Sequence, residues 1–332
     1  MLRSFFPLFL LLALSSTEPA GSSYQYTRVG HQENVEKKPI AGFALMGGGS
    51  DIDEAFRWLC EKADGGDFLI LRARGDDAYN SYVKGLCKLN SVATLVIPNR
   101  DAALDPAVAN IVRHAAAIFI AGGDQARYVN FWRGTPVQQA INADIARGTP
   151  IGGTSAGLAV LGEFSYGALH DPPDDSSLTS AEALQNPFAN RITLVRDFLV
   201  IPTLRDTITD SHFAKRDRMG RSLAFLARLL QDRWTATPKE IAIDERSAVL
   251  VGPDGKAKVV GSGKGAYFLR PSENPLTCKS AVPLTFHGIS VYKAPSGAHF
   301  DLRAWTGEGG FQYVLSVDAG NIVSTQSSHA VY

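Results

Sequence analysis

The run Gly152-Gly153-Thr154-Ser155-Ala156-Gly157 holds a serine among glycines. It follows a short apolar stretch, Pro150-Ile151, and opens an apolar-patterned segment, Leu158-Ala159-Val160-Leu161. That order reads as a strand, a tight turn and a helix. A serine at such a turn has its hydroxyl lifted clear of the sheet. Gly153 and Gly157 flank it because side chains there would crowd the turn and the contact between helix and strand. The backbone N–H of Ala156, at the helix start, points where an oxyanion would form. The chemistry is acyl transfer by a serine nucleophile, although an ordinary glycine-rich turn can carry the same letters.

A serine nucleophile needs a base, and the base needs an orienting group. The seven histidines are His31, His114, His170, His212, His287, His299 and His329. His212 stands out in Asp210-Ser211-His212-Phe213, just ahead of a helical pattern over residues 213–230 that carries Arg216, Arg218 and Arg221. Those three arginines cannot share one side of a regular helix. If the segment begins as a loop, all three can reach a crevice and hold carboxylates; otherwise they form a solvated charge run. His114 reads as a packing residue in an apolar helix, and His170, in a loop, is the second choice for the base. The orienter is read as Glu245, in Ile243-Asp244-Glu245-Arg246, because a carboxylate at the end of a short apolar strand is partly buried and needs a partner. Asp244 is next in line, and since neighbouring residues of a strand face opposite ways, only one of the two can serve.

The elements that would position these groups alternate. Residues 40–46, 68–71, 92–97 and 118–120 read as short apolar strands, and residues 52–60, 78–86, 107–117 and 137–146 as helices. Short buried strands separated by helices imply an α/β fold with a doubly wound parallel sheet and helices on both faces. Ligands of such sheets bind beyond the carboxyl ends of the strands. Three glycine turns fall there: Gly47-Gly48-Gly49, Gly122-Gly123 and Gly152-Gly153, which should surround one crevice. Gly47-Gly48-Gly49-Ser50-Asp51-Ile52 lacks the Gly-x-Gly-x-x-Gly spacing of a dinucleotide turn. Residues 164–191 read as a long surface loop, a lid candidate. Residues 193–201 read as a strand. A β-rich region follows residue 251, either extending the same sheet or making an appended layer.

Lys plus Arg and Asp plus Glu number 33 each in 332 residues, so no basic field invites nucleic acid. Arg3, the apolar residues 5–14 and the small residues after them read as a signal peptide over residues 1–22, too short an apolar run to span a membrane. An uncleaved anchor is the competing reading. Secretion, or a periplasmic location, and no membrane association after cleavage follow from the first. Residues 23–39 read as a polar arm. The three cysteines, Cys60, Cys87 and Cys278, allow one disulfide or three free thiols. None has a metal-ligand spacing, and no metal or organic cofactor is expected.

Four segments in order, Gly122-Gly123-Asp124-Gln125, the Ser155 turn, Asp210-x-His212-Phe213-x-x-Arg216-x-Arg218-x-x-Arg221 and Ile243-Asp244-Glu245, resemble peptidase family S51, and most of all its cyanophycinase branch. The resemblance covers a catalytic domain over residues 40–251, with residues 252–332 as a β-rich C-terminal extension. It implies a fold like that of class I glutamine amidotransferases, with a flavodoxin-like sheet. It implies Ser155 as nucleophile, His212 as base, Glu245 as its orienting acid, and the backbone of Gly123 and Ala156 as oxyanion hole. It implies substrate-pocket roles for Gln125, Asp210, Ser211, Arg216, Arg218 and Arg221, with arginines holding carboxylates and Gln125 and Asp210 facing polar or cationic groups. The implied substrate is cyanophycin, a polyaspartate bearing arginine on each side chain, cut to β-aspartyl-arginine. Ser211 stands where cyanophycinases typically have glutamine, which opens the alternatives of other aspartyl or isoaspartyl peptides and of a non-catalytic binding relative. Under the dipeptidase reading Glu163 or Asp171 would be the acid, and Asp171, Asp174 and Asp175 could alter access. Homodimers are common among such folds. An α/β-hydrolase esterase is disfavoured, because that fold orders its triad serine, acid, histidine.

Overall fold

The computed structural model describes residues 23–172 and 177–332; the expected leader, residues 1–22, and Asp174 and Asp175 lie outside the described residues. The chain opens with β1 (Gln25–Gly30) and then alternates: β2 (Phe43–Met46), α1 (Asp53–Lys62), β3 (Asp67–Arg72), α2 (Ala78–Leu86), β4 (Ser91–Val96), α3 (Arg100–Leu104), α4 (Pro106–Arg113), β5 (Ala117–Ile120), α5 (Gln125–Trp132), α6 (Pro136–Ala146), β6 (Ile151–Thr154) and the short α7 (Ala156–Ala159). Strands β4-β3-β5-β6-β2 pair in parallel, side by side in that order. Strands β3 to β6 take the spatial sequence 2-1-3-4 of a flavodoxin-like sheet, and β2 fills the fifth place.

The strand letters explain why helices cover both faces. Phe68 and Ile70 of β3 pack with Phe56 and Leu59 of α1 and Val83 of α2. Leu69 and Leu71, one residue out of phase, pack with Val108 of α4, Trp132 of α5 and Ile141 of α6. A strand buried on both sides must be apolar at successive positions rather than alternate ones, and β2, β4 and β5 are buried at every residue.

The second half adds β7 (Ser165–Tyr166), α8 (Ser180–Gln185), β8 (Leu194–Val195), β9 (Thr207–Asp210), α9 (Met219–Gln231), β10 (Lys239–Ile243), β11 (Ser247–Val251), β12 (Lys256–Gly261), β13 (Ala266–Pro271), β14 (Thr277–Lys279), β15 (Val282–Ala294), β16 (His299–Asp301), β17 (Thr306–Glu308), β18 (Phe311–Asp318) and β19 (Asn321–Ser324). Strands β11, β12, β16 and β17 extend the first sheet beyond β2 by antiparallel pairing. A second sheet runs β19-β18-β15-β13-β10-β9. Ile241, Ile243 and Phe268 turn one of its faces into the core of the first sheet. Ala242, Tyr267 and Leu269 turn the other toward Leu223 and Leu226 of α9 and Leu184 of α8. The β-rich C-terminal region therefore both extends the first sheet and builds most of the second.

Three expectations change. Residues 23–39 do not begin as an arm: β1 pairs antiparallel with β4 at the sheet edge. The Arg28 guanidinium ties it to Asp67 at 2.9 Å, and the Asn80 side chain donates to Thr27 O at 3.2 Å. An edge strand needs only one apolar flank, so its polar letters disguised it. The described residues of the expected loop over 164–191 are not a free surface loop, since Tyr166, Leu178, Ala183 and Leu184 are buried against Leu223 and Phe225 of α9. Within residues 193–201 only Leu194–Val195 is strand, whereas Thr207–Asp210, too short and polar to announce itself, is a fully buried one. Among the described residues no helix is long and apolar enough to cross a membrane. Cys60 and Cys87 form a disulfide between the end of α1 and the residue after α2, and Cys278 is a buried free thiol.

Candidate active site

Strand β6 ends at Thr154, and the chain reverses at Ser155 into α7. Ser155 sits at φ 53° and ψ −116°, a conformation that costs a non-glycine residue on the order of 1–3 kcal/mol. The surroundings hold it there. Ser155 N donates to Met46 O of β2 at 3.2 Å, and Ala159 N donates to Ser155 O at 3.0 Å. A Cβ on Gly157 would lie 2.0 Å from Ile120 O, so only glycine lets α7 run this close to β5.

The base and its partner come from the second sheet. His212 follows β9 and Glu245 follows β10; these strands are neighbours and parallel, so their carboxyl ends open on the same side. Ser155 Oγ lies 2.7 Å from His212 Nε2, and His212 Nδ1 lies 2.7 Å from Glu245 Oε1. With the proton on Nδ1 directed at the carboxylate, Nε2 accepts from the serine hydroxyl. The Gly47-Gly48-Gly49 turn of the first sheet joins the two sources. His212 N donates to Gly47 O at 2.8 Å, and Arg246 N donates to Gly48 O at 2.9 Å. The imidazole lies close against Gly48: a Cβ there would meet His212 Cε1 at 2.5 Å.

Burial holds the His212 pKa below its ordinary value, with Arg216 and Arg218 pushing the same way and Glu245 opposing them. Glu245 is half-buried, and the hydrogen bond from His212 holds its carboxyl below the usual range. Both shifts favour a neutral imidazole beside an ionised carboxylate. That is the state in which a histidine can take a proton. Asp244, the other acid considered for this role, accepts instead from Lys215 N at 2.8 Å and braces the turn after His212.

Helix α9 begins only at Met219, so residues 212–218 form a turn that carries Arg216 and Arg218, and Arg221 follows in the first turn of the helix. Arg216, Arg218 and Arg221 line one pocket with Ser155, His212, Gly123, Ala156, Gln125, Ser211, Arg127, Tyr166 and Asp171; its volume is about 370 Å³. Asp210 does not face this space as the sequence suggested. It is 2% exposed and accepts from Arg221 Nε at 2.8 Å, from Arg218 Nη1 at 3.2 Å and from Ser211 N at 2.8 Å. Burial alone would raise its pKa, but the two guanidiniums outweigh it and the net shift is downward. Its role is to anchor Arg218 and Arg221 from behind. The resemblance implied a pocket role for Asp210, but the motif does not fix which way its carboxylate points.

The remaining histidines stand apart. His114 is exposed at the end of α4, where its Nδ1 meets Asn110 O at 2.8 Å, rather than packed in an apolar helix. His170 is exposed with Nδ1 on Asn190 O at 2.9 Å. Glu163 accepts from Asp206 N and does not line the pocket. The sequence offered no signal for Tyr166, whose ring lies 5.1 Å beneath the Arg221 guanidinium.

Comparison with known proteins gives one family and one set of relatives. Residues 76–189, which include Ser155, match the model of Peptidase family S51. Cyanophycinase from Trichormus variabilis is 29% identical over 220 residues, 64% of this chain and 65% of that protein. Cyanophycinase from Synechococcus elongatus is 26% identical over 294 residues, 82% of each chain. The chain is thus similar to peptidase family S51 over residues 76–189 and to cyanophycinases over a longer span. Its match to the first of those relatives spans less than two thirds of their length. A crystal structure of a peptidase from an acI-B1 Actinobacterium superposes with a TM-score of 0.49 at 18% identity, covering 86% of this chain and 98% of that one. The family match ends before His212 and Glu245, so the geometry alone joins those two to Ser155.

Proposed function

We propose that this chain is a serine hydrolase that cuts an aspartyl peptide of the cyanophycin kind, releasing β-aspartyl-arginine. The observation that carries this reading is the continuous hydrogen-bonded path Ser155–His212–Glu245, entered from a strained serine turn. In the proposed reaction Ser155 Oγ attacks the carbonyl while His212 Nε2 takes its proton. Glu245 holds the imidazolium that forms. The backbone N–H groups of Gly123 and Ala156, beside the serine in the pocket, would receive the oxyanion. His212 then protonates the leaving amine, and water hydrolyses the acyl-enzyme by the same route in reverse.

Arg216, Arg218 and Arg221 suit substrate carboxylates. Ser211, together with Asp210 being tied to Arg218 and Arg221, leaves room for a second substrate class, other aspartyl or isoaspartyl peptides. We further propose that the protein works outside the cytoplasm. The leader-like residues 1–22 and the Cys60–Cys87 disulfide both support an oxidising compartment.

The test is incubation of purified cyanophycin with the protein and with Ser155→Ala, followed by mass spectrometry. The reading expects β-aspartyl-arginine from the first and none from the second. Equal release by both would remove Ser155 from the reaction. Release only from isoaspartyl peptides would keep the nucleophile and replace the substrate.

A further inference from the structure

Among the described residues, one carboxylate oxygen lining the pocket beside Ser155 has no hydrogen-bond or ion-pair partner. Its arginines are paired: Arg218 and Arg221 with Asp210, Arg127 with Asp124, and Arg216 with Glu245 at 3.9 Å. Among the described residues, the carboxylates lining it are Asp124 and Asp171. Asp124 is engaged through both oxygens, Oδ1 accepting from Ala126 N at 2.8 Å and Oδ2 lying 3.4 Å from Arg127 Nε. Asp171 is engaged through one. Its Oδ1 accepts from the Tyr166 hydroxyl at 2.7 Å and from Arg191 Nε at 3.1 Å, and among the described residues Oδ2 has no partner. The side chain is only 16% exposed, and Arg191 is shared with Glu182 at 3.0 Å, so two carboxylates divide one guanidinium at this wall.

We propose that Asp171 Oδ2 receives a cationic group of the substrate, a guanidinium or ammonium, and so sets the specificity of the site for a positively charged side chain. The pocket is then bipolar. Arg216, Arg218 and Arg221 take carboxylates near the serine, and Asp171, fixed by Tyr166 and Arg191, takes the cation. Asp210, locked behind Arg218 and Arg221, cannot do this. A charge-assisted hydrogen bond in a partly dry pocket discriminates a cation from a neutral isostere by roughly 10- to 100-fold.

This inference rests on the hydrolase reading, and its test separates the two. Binding is measured in Ser155→Ala protein, where no turnover is needed, using a β-aspartyl-arginine peptide and its citrulline counterpart, which replaces the guanidinium by a neutral urea of the same shape. The expected result is at least ~10-fold tighter binding of the arginine form. Asp171→Asn should bring the ratio close to one. Asp171→Glu, which keeps the charge but shifts it by one methylene, should leave an intermediate ratio. A ratio unchanged by Asp171→Asn, even with both affinities weakened, would mean that Asp171 is only structural and would overturn the proposal. So would equal binding of the two peptides, or binding of neither. The hydrolase reading is judged independently, by hydrolysis in the wild type.

Discussion

Asp210 ends strand β9 and Glu245 follows its parallel neighbour β10, and each carboxylate meets nitrogen donors from residues 212–221. There the likeness stops. Asp210 is buried with two buried guanidiniums around it, and burial together with Arg221 lowers the Arg218 pKa to about 10. Glu245 is half-buried, touches one imidazole and opens to the pocket through Arg216. The first cluster has the protection of a structural anchor, in which removing one member strands unpaired buried charge. The second has the accessibility that a reacting group requires. The turn between them is stiffened from one side so that it can work on the other.

Breaking the relay should give the largest effects, and these should appear in rate rather than stability. Ser155→Ala is expected to lower kcat by on the order of 10⁴- to 10⁶-fold. Its unfolding midpoint should not fall, since a strained conformation becomes no worse. Glu245→Gln should cost roughly 10³- to 10⁴-fold in kcat, because the imidazole loses the partner that fixes its tautomer. Its pH profile sharpens the point. His212 must be neutral to act, and burial holds its pKa below the ordinary ~6.5, so wild-type kcat/KM should rise with pH along a limb below that value and be level at neutrality. Glu245 is the group that raises this pKa, so the variant's limb should move to still lower pH. A limb that moves up would contradict the assignment.

Breaking the anchor should do the reverse. Asp210→Ala leaves Arg218 and Arg221 buried without their carboxylate and should reduce unfolding free energy by about 3–5 kcal/mol in a denaturant titration. If stability held and only KM rose, Asp210 would belong to the pocket after all. Gly48→Ala lies between the two: its Cβ would displace the His212 ring, and a shift of that size should cost roughly 10²-fold in kcat. The smallest rate effect belongs to Cys60→Ser, distant from both clusters. It should cost about 3 kcal/mol of stability for a bridge spanning 27 residues, with kcat preserved while the protein stays folded.

The same contrast explains what could be read from the letters. The parallel core was legible because strands buried on both faces are apolar at successive positions, and the serine turn because close packing against β5 admits only glycine at 157. The convergence of Gly47–Gly49, Gly122-Gly123 and Ser155 followed from that topology, since β2, β6 and β5 are adjacent. The second sheet was not legible. β9 is four residues with two buried threonines, and its pairing with β10 spans α9, so nothing local announces it. Side-chain direction was likewise hidden. Ser211, in the pocket, and Asp210, behind it, are adjacent in sequence, and only the fold decides which faces the substrate.

The central claim is that Ser155 is the nucleophile and His212 its base. The most direct measurement is labelling of the intact protein by a fluorophosphonate, with the modified peptide mapped by mass spectrometry. The account predicts one adduct, on Ser155, absent in Ser155→Ala and formed far more slowly in His212→Ala. A folded protein that takes no adduct, takes it on another serine, or reacts equally fast without His212 would contradict it.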